Sequence, residues 1–354
     1  MDPNSLDLLY VFFWADRYHH RFQIPKAKVV REVASFRWQT EAQFGRLSAE
    51  RFAQQYLDDC LFVTTPARSL RDALAGTGKE VFVCPNGFEP ALFYPGEARK
   101  GPLRVGWVGN PNDASKGLQE ILIPATQGRW ELRYTDRSVS RARVARLYRG
   151  VDVIAIASVA ESQPLPLIEG MASGCFPVTC NVGIVPEVVT NGVNGMIVDR
   201  SERAFRSAFE WCNANLDFIR SAGSGNAAFI RRARTWDACA GRFDDIFTHA
   251  ISLQRRGQGT ISTKPPAAEP SARSRDSEGA FKQSPSPFRC RGARMLVKKM
   301  LILSEDFAVC SVGHLTSAWL PIRSGELLRR SLPRSWLLRL KSLREFLLRH
   351  KGAK

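Results

Sequence analysis

The chain reads as an α/β protein with two open parallel sheets, and three observations predict it. Short runs of β-branched and aromatic residues alternate with amphipathic helical stretches; this happens in two successive series; and the second series contains a proline-bounded acidic loop that leads into a helix. In the first series strands are expected over 6–14, 28–36, 60–65 and 81–87, runs too short for buried helices, with helices near 48–58 and 67–75 between them. The second opens with a strand at 103–110 and a helix from about Lys116. It continues with strand 131–135, helix 140–149, strand 151–158, a helix from about Leu167, strand 176–180 and a short strand at 196–198. Alternation of this kind implies parallel strands joined by helical crossovers. Residues 201–254 read as helical, with Trp211, Phe218, Trp236, Phe243 and Phe247 as apolar anchors.

Length and composition bound the function. At 354 residues and 44% hydrophobic content the chain can bury a sizeable core, and two domains are expected. The formal charge of +17 sits at the end: residues 255–354 hold 21 of the 51 Lys and Arg but 7 of the 34 Asp and Glu. The body is therefore nearly balanced, and a nucleic-acid partner would need a folded reader that no motif supplies. From about 255 to 295 Pro, Ser, Gln and Arg predominate, a composition expected to stay a disordered linker. The segment 296–354 is read as a basic tail in which Trp336, Leu340, Leu343 and Leu347 fall at helical spacing among basic residues. That pattern describes an amphipathic helix suited to an anionic membrane surface.

The eight cysteines show no CxxC spacing and no histidine at ligand spacing, so buried thiols in a reducing compartment are expected, with no metal and no cofactor. The start, MDPNSLDLLYVFFW, is acidic with a short apolar run, unlike a signal peptide or a membrane span. A cytoplasmic chain is expected, with its tail able to rest on the inner face of the membrane. No GxGxxG follows a strand, which argues against a dinucleotide oxidoreductase. His19 and His20 follow the first strand and are assigned no catalytic role.

The acidic loop is ASVAESQPLPLIEGMASG, residues 157–174. In open parallel sheets ligands bind beyond the carboxyl ends of strands. There a helix N-terminus offers free N–H groups and a positive dipole end to a diphosphate. The reading places Glu161 in the crevice and Glu169 in the first helical turn, where it can accept hydrogen bonds from ribose hydroxyls. Taken alone, a Glu pair across a turn is more often a solvated cap and a surface acid.

Glu161 and Glu169, eight positions apart and followed by GMASG at 170–174, resemble the E-x7-E signature of the retaining nucleotide-sugar glycosyltransferases of family 4, which have the GT-B fold. PNGFE at 85–89 with Phe93, VGWVGN at 105–110 with Lys116 and Gly117, LYRGVDV at 147–153, VGIVPE at 182–187 and NGVNG at 191–195 resemble further family segments in the family's order. The resemblance is strong over about 80–250 and weaker over 5–80. It implies a partial acceptor-side Rossmann-like domain at 1–98 and a nucleotide-sugar-binding one at 99–254. It also implies that Lys116 neutralises the donor diphosphate, helped by the backbone at Gly109 and by N–H groups around Leu165, Pro166, Leu167 and Ile168. Glu161, the catalytic member of the pair, then hydrogen-bonds the donor sugar hydroxyls, and Glu169 holds the ribose. The implied partners are a nucleotide diphosphate sugar and a glycan or lipid-linked acceptor. In such enzymes the leaving diphosphate itself deprotonates the acceptor.

Three departures stand out. Asn110 occupies a position where many members carry Arg, leaving Arg137 or another basic residue to supply that charge. The segment between strand 131–135 and helix 140–149 is short. Fewer than 100 residues precede the second domain and no Gly-rich loop appears among them, so the N-terminal domain is expected to be reduced. A non-catalytic nucleotide-sugar-binding or scaffold descendant is the competing reading.

Overall fold

The computed structural model describes residues 7–12, 23–40, 45–136 and 139–257, together with the backbone of 299–303 and 309–313. His19, His20, Arg137, most of the expected linker and the expected amphipathic helix at 335–351 lie outside the described residues.

The first sheet contains β1 (Leu8–Val11), β2 (Val29–Glu32), β3 (Phe62–Thr65) and β4 (Val81–Val83), each parallel to the next. Its connections carry α1 (Arg37–Thr40), α2 (Ala49–Phe52) continued by a π turn at Ala53–Leu57, and α3 (Arg68–Ala73). Strands β1 to β3 are buried on both faces, which is why they read as continuous apolar runs. One face packs on Trp38 and Phe52, whose rings stack at 4.6 Å.

The second sheet comprises β5 (Arg104–Val108), β6 (Glu131–Thr135), β7 (Val153–Ile156), β8 (Phe176–Thr179) and β9 (Met196–Ile197), all parallel, in the order β6-β5-β7-β8-β9. After β5 come a 3-10 turn (Ala114–Lys116), a π turn (Leu118–Leu122) and α4 (Ile123–Thr126). Helices α5 (Arg141–Arg149), α6 (Leu165–Ala172) and α7 (Val185–Val188) follow, then α8 (Glu202–Ala214) and α9 (Leu216–Ala233). One continuous apolar core fills this unit. In α8 the fully buried anchors are Phe205 and Phe209, whereas Trp211 and Phe218 are 38% and 44% exposed. The rings of both expected anchors instead lie against Phe176, at 6.5 and 6.3 Å between centroids.

Two features depart from the sequence reading. The last helix among the described residues, α10 (Trp236–Gly257), leaves the second unit and packs on the first sheet, with Phe247 5.5 Å from the ring of Tyr10 and Ile246 and Ala250 in the same buried cluster. The chain crosses between units twice at one place. There the Phe88 N–H donates to Arg234 O at 3.0 Å, and Gly87 lies so close to Trp236 that a Cβ would sit 2.5 Å from its Cα. Second, part of the expected tail belongs to the first sheet: β10 (Lys299–Leu303) runs parallel to β1, and β11 (Val309–Gly313) runs antiparallel to β10. The added hairpin occupies the open edge of β1, so the first sheet has six strands among the described residues.

Candidate donor site at the switch of the second sheet

In the parallel order β6-β5-β7 the strand order reverses at β5, and the carboxyl ends of β5 and β7 are where open sheets of this kind bind ligands. The loop after β5 carries Gly109 to Gly117 and the loop after β7 carries Ser158 to Pro164. These loops bring Lys116 and Glu161 together: the Lys116 ammonium donates to Glu161 Oε1, and Ser158 Oγ donates to the same oxygen at 2.9 Å. Both charged side chains are 21% exposed, so the pair is partly open to solvent.

Glycines set the close approach of the loops. Gly117 has φ +70°, and a Cβ there would lie 2.6 Å from the carbonyl oxygen of Ala157. At Gly183 φ is +54°, and a Cβ would fall 1.9 Å from Ser162 O, the carbonyl that accepts from Ile184 N at 2.9 Å. Arg200, which the sequence reading did not single out, straps the two loops by donating to Ala157 O at 2.9 Å and Ala114 O at 3.0 Å.

The same loop is fastened to the first unit. Ser162 Oγ donates to Ala34 O, Asn86 N donates to Gln163 Oε1 at 2.7 Å, and Gln163 Nε2 returns a bond to Asn86 O at 2.6 Å. Glu187 adds a second tie, accepting from the N–H of Arg68 at 2.9 Å while lying 3.6 Å from the guanidinium of Arg234. The PNGFE and VGIVPE segments are thus structural joints between units and neighbours of the loop after β7 at once.

Glu169 is placed differently from expectation. Helix α6 begins at Leu165, so Glu169 lies in the second turn; its side chain is 6% exposed. Arg141 Nη2 donates to its Oε1 at 2.7 Å, and the Tyr148 hydroxyl reaches Oε2 at 3.4 Å. Burial, with the Glu169 charge beside it, pushes the Tyr148 phenol well above its ordinary range, which keeps it protonated as a donor.

The expected backbone cradle is thinner than its four residues suggest. Pro166 has no N–H, and Leu167 N donates to Pro164 O at 3.0 Å, so at most the N–H groups of Leu165 and Ile168 can face a phosphate. Gly109 N is engaged by Thr135 O at 3.3 Å; its missing side chain instead makes room for the Trp107 ring, which a Cβ would meet at 2.6 Å. Asn110 is exposed and closes a local turn, its Oδ1 accepting from Asn112 N at 3.1 Å. Among the described residues no group of three or more His, Cys, Asp or Glu could hold a metal.

A double Rossmann-like architecture with charged loops meeting at a switch point defines a GT-B protein. Residues 97–215 match the family described as Glycosyl transferases group 1, about a third of the chain. It is similar to D-inositol 3-phosphate glycosyltransferases. One from Mycobacterium ulcerans is 29% identical over 35% of this chain and 26% of its own length, and one from Streptomyces griseus is 29% identical over 42% and 32%. The matched part thus spans about a quarter to a third of those relatives. Among solved structures, sucrose-phosphate synthase from Thermosynechococcus elongatus superposes with a TM-score of 0.62 at 17% identity, over 70% of this chain and 74% of that one. Anabaena HepE in complex with UDP and glucose superposes with a TM-score of 0.50 at 14% identity, over 69% and 73%. At these identities both establish the fold alone.

Proposed function

We propose that the protein transfers a sugar from a nucleotide diphosphate sugar to an acceptor hydroxyl with retention of anomeric configuration. The observation that carries this reading is the Lys116–Glu161 pair, assembled from two loops at the switch point, with Glu169 in the second turn of the helix that follows. Lys116 meets the diphosphate and offsets charge as it departs; Glu161, released from Lys116, holds the hydroxyls of the donor sugar, and Glu169 holds the ribose. The leaving diphosphate takes the acceptor proton on the same face, so the protein contributes chiefly electrostatic stabilisation and positioning. The names of the relatives do not identify the acceptor for this chain, because the family match ends within the donor-side unit.

The test is acceptor-dependent release of nucleoside diphosphate from a panel of nucleotide diphosphate sugars, with the anomeric configuration of the product read by NMR. Donor binding without release would leave a nucleotide-sugar-binding scaffold, a reading that the sparse N–H donors at the start of α6 favour.

No helix among the described residues is long and apolar enough to cross a membrane. We place the enzyme in the cytoplasm with 335–351 docking on anionic lipid near a lipid-linked acceptor, each basic residue at the surface contributing about 1 kcal/mol. Co-sedimentation with phosphatidylserine vesicles, full chain against a chain ending at Gly257, tests this: equal partitioning at moderate salt removes the membrane role.

A further inference from the structure

We propose that Arg141 is the positioning residue for the ribose end of the donor site: it holds the Glu169 carboxylate in the orientation that accepts sugar hydroxyls, and so sets the preference for ribonucleotides. The inference rests on the donor reading above. It starts from a residue in a place that local helix physics disfavours. Arg141 is the first residue of α5, directly after the Ser140 cap, and that first turn contains no acid. A cation at a helix N-terminus opposes the dipole, so nothing in the stability of α5 asks for it.

What Arg141 does instead is reach across to α6. Its Nη2 donates to Glu169 Oε1 at 2.7 Å, a charge-assisted bond between side chains 24% and 6% exposed. Its guanidinium carbon lies 4.9 Å from the centroid of the Phe93 ring, which is itself fully buried in the segment linking the two units. Phe93 is in turn held from α9, its carbonyl accepting from Arg231 Nη1 at 3.1 Å. The buried Nε of Arg141 has no hydrogen-bond partner among the described residues. The guanidinium is therefore set by Phe93 and Glu169 at the expense of its own full bonding, as expected of a group recruited to orient another.

The carboxylate needs such a hold. A buried acid without a cationic partner loses hydration and either takes up a proton or turns toward whatever donor is nearest, and a protonated Glu169 would give up acceptor capacity. With Arg141 on one oxygen and Tyr148 on the other, the plane of the group is fixed. A lysine could supply the charge but not the planar fork that stacks on Phe93.

The experiment is calorimetric titration of the full chain with uridine, adenosine and guanosine diphosphates and their 2′-deoxy counterparts, for wild type, Arg141→Ala, Arg141→Lys, Glu169→Gln and the Arg141→Ala/Glu169→Gln double variant. Inorganic pyrophosphate is titrated alongside as a probe of the Lys116 end. The expected result is a wild type that prefers one ribonucleotide over its deoxy form by about fivefold or more, a preference that falls below about twofold in Arg141→Ala and Glu169→Gln alike and no further in the double variant. Arg141→Lys should recover part of it, with pyrophosphate affinity within about twofold of wild type throughout. If Arg141→Ala keeps the ribose preference while Glu169→Gln loses it, the role of Arg141 is overturned and the donor reading stands. A wild type that binds none of the nucleotides, or binds ribo and deoxy forms equally, overturns the ribose assignment and this inference together. Should Arg141→Ala fail to fold, Arg141→Lys decides: an unchanged ribose preference there, with the planar fork gone, also overturns it.

Discussion

Replacing Gly183 by alanine should damage stability and turnover together, through a contact measurable in the structure. The glycine has φ +54°, and an added Cβ would stand 1.9 Å from Ser162 O, 2.5 Å from Ser162 C and 2.8 Å from Glu161 O. An ordinary carbon–oxygen contact needs roughly 3.2 Å, so one of the two loops must move by about 1.3 Å. Ser162 and Gln163 are tied to Ala34 and Asn86, which resists movement on their side. Either displacement breaks the bond from Ile184 N to Ser162 O, worth about 1 kcal/mol. The left-handed conformation costs alanine a further ~1 kcal/mol. The sum is a loss of about 2–3 kcal/mol in urea unfolding. Because Glu161 directly precedes the displaced carbonyl, a shift near 1 Å should also lower turnover about 100-fold. Gly192 is the control. Its φ is +75° and an added Cβ there would meet nothing within 4 Å, so Gly192→Ala should cost only the backbone share and leave turnover intact. Equal behaviour of the two variants in both assays would refute the steric argument.

Lys116→Ala should weaken nucleoside diphosphate binding roughly 10-fold or more, the scale of a lost charge-assisted bond, with little effect on the nucleoside; equal losses in calorimetry would move Lys116 away from the phosphates. Glu161→Gln should tighten nucleoside diphosphate binding about two- to fivefold, because the diphosphate no longer displaces a partly exposed ion pair, while turnover falls; transfer at the parental rate would remove Glu161 from the chemistry. Alkaline stability follows from the buried thiols. Burial raises Cys60 to about 11 and Cys175 and Cys212 to about 12, so each contributes stability in full below the unfolded value near ~8.5 and loses it as pH climbs through the folded value. Urea midpoints should therefore drop between pH 8.5 and 11, on the order of 1 kcal/mol per thiol per pH unit, and a flat profile would contradict the burial.

Most of the strand and helix order of both units was legible in the sequence because it rests on short-range patterns: continuous apolar runs where strands are buried on both faces, with helical periods between them. Lys116, Glu161 and Glu169 could be singled out from spacing and from the motifs around them. Their partners could not. The pairing of Lys116 with Glu161 joins residues 45 positions apart, and that of Arg141 with Glu169 joins residues 28 apart. In each case the loops meet only because β5 and β7 are neighbours in one sheet and α5 packs beside α6. Arg141 did leave a local trace, a cation where the first turn of a helix favours an acid, but the trace names no partner. The destination of α10 was equally hidden, since an apolar stripe including Phe243 and Phe247 specifies burial and not which sheet it will cover. The strands at 299–303 and 309–313 fall in a segment read from the sequence as a basic tail, and only the open edge of β1 gives them a partner. Backbone preference and hydrophobic period are local and can be read along the chain. Ion pairs, glycine clearances and the choice of a packing face depend on which distant segments the fold brings within a few ångströms, and only the tertiary structure settles that.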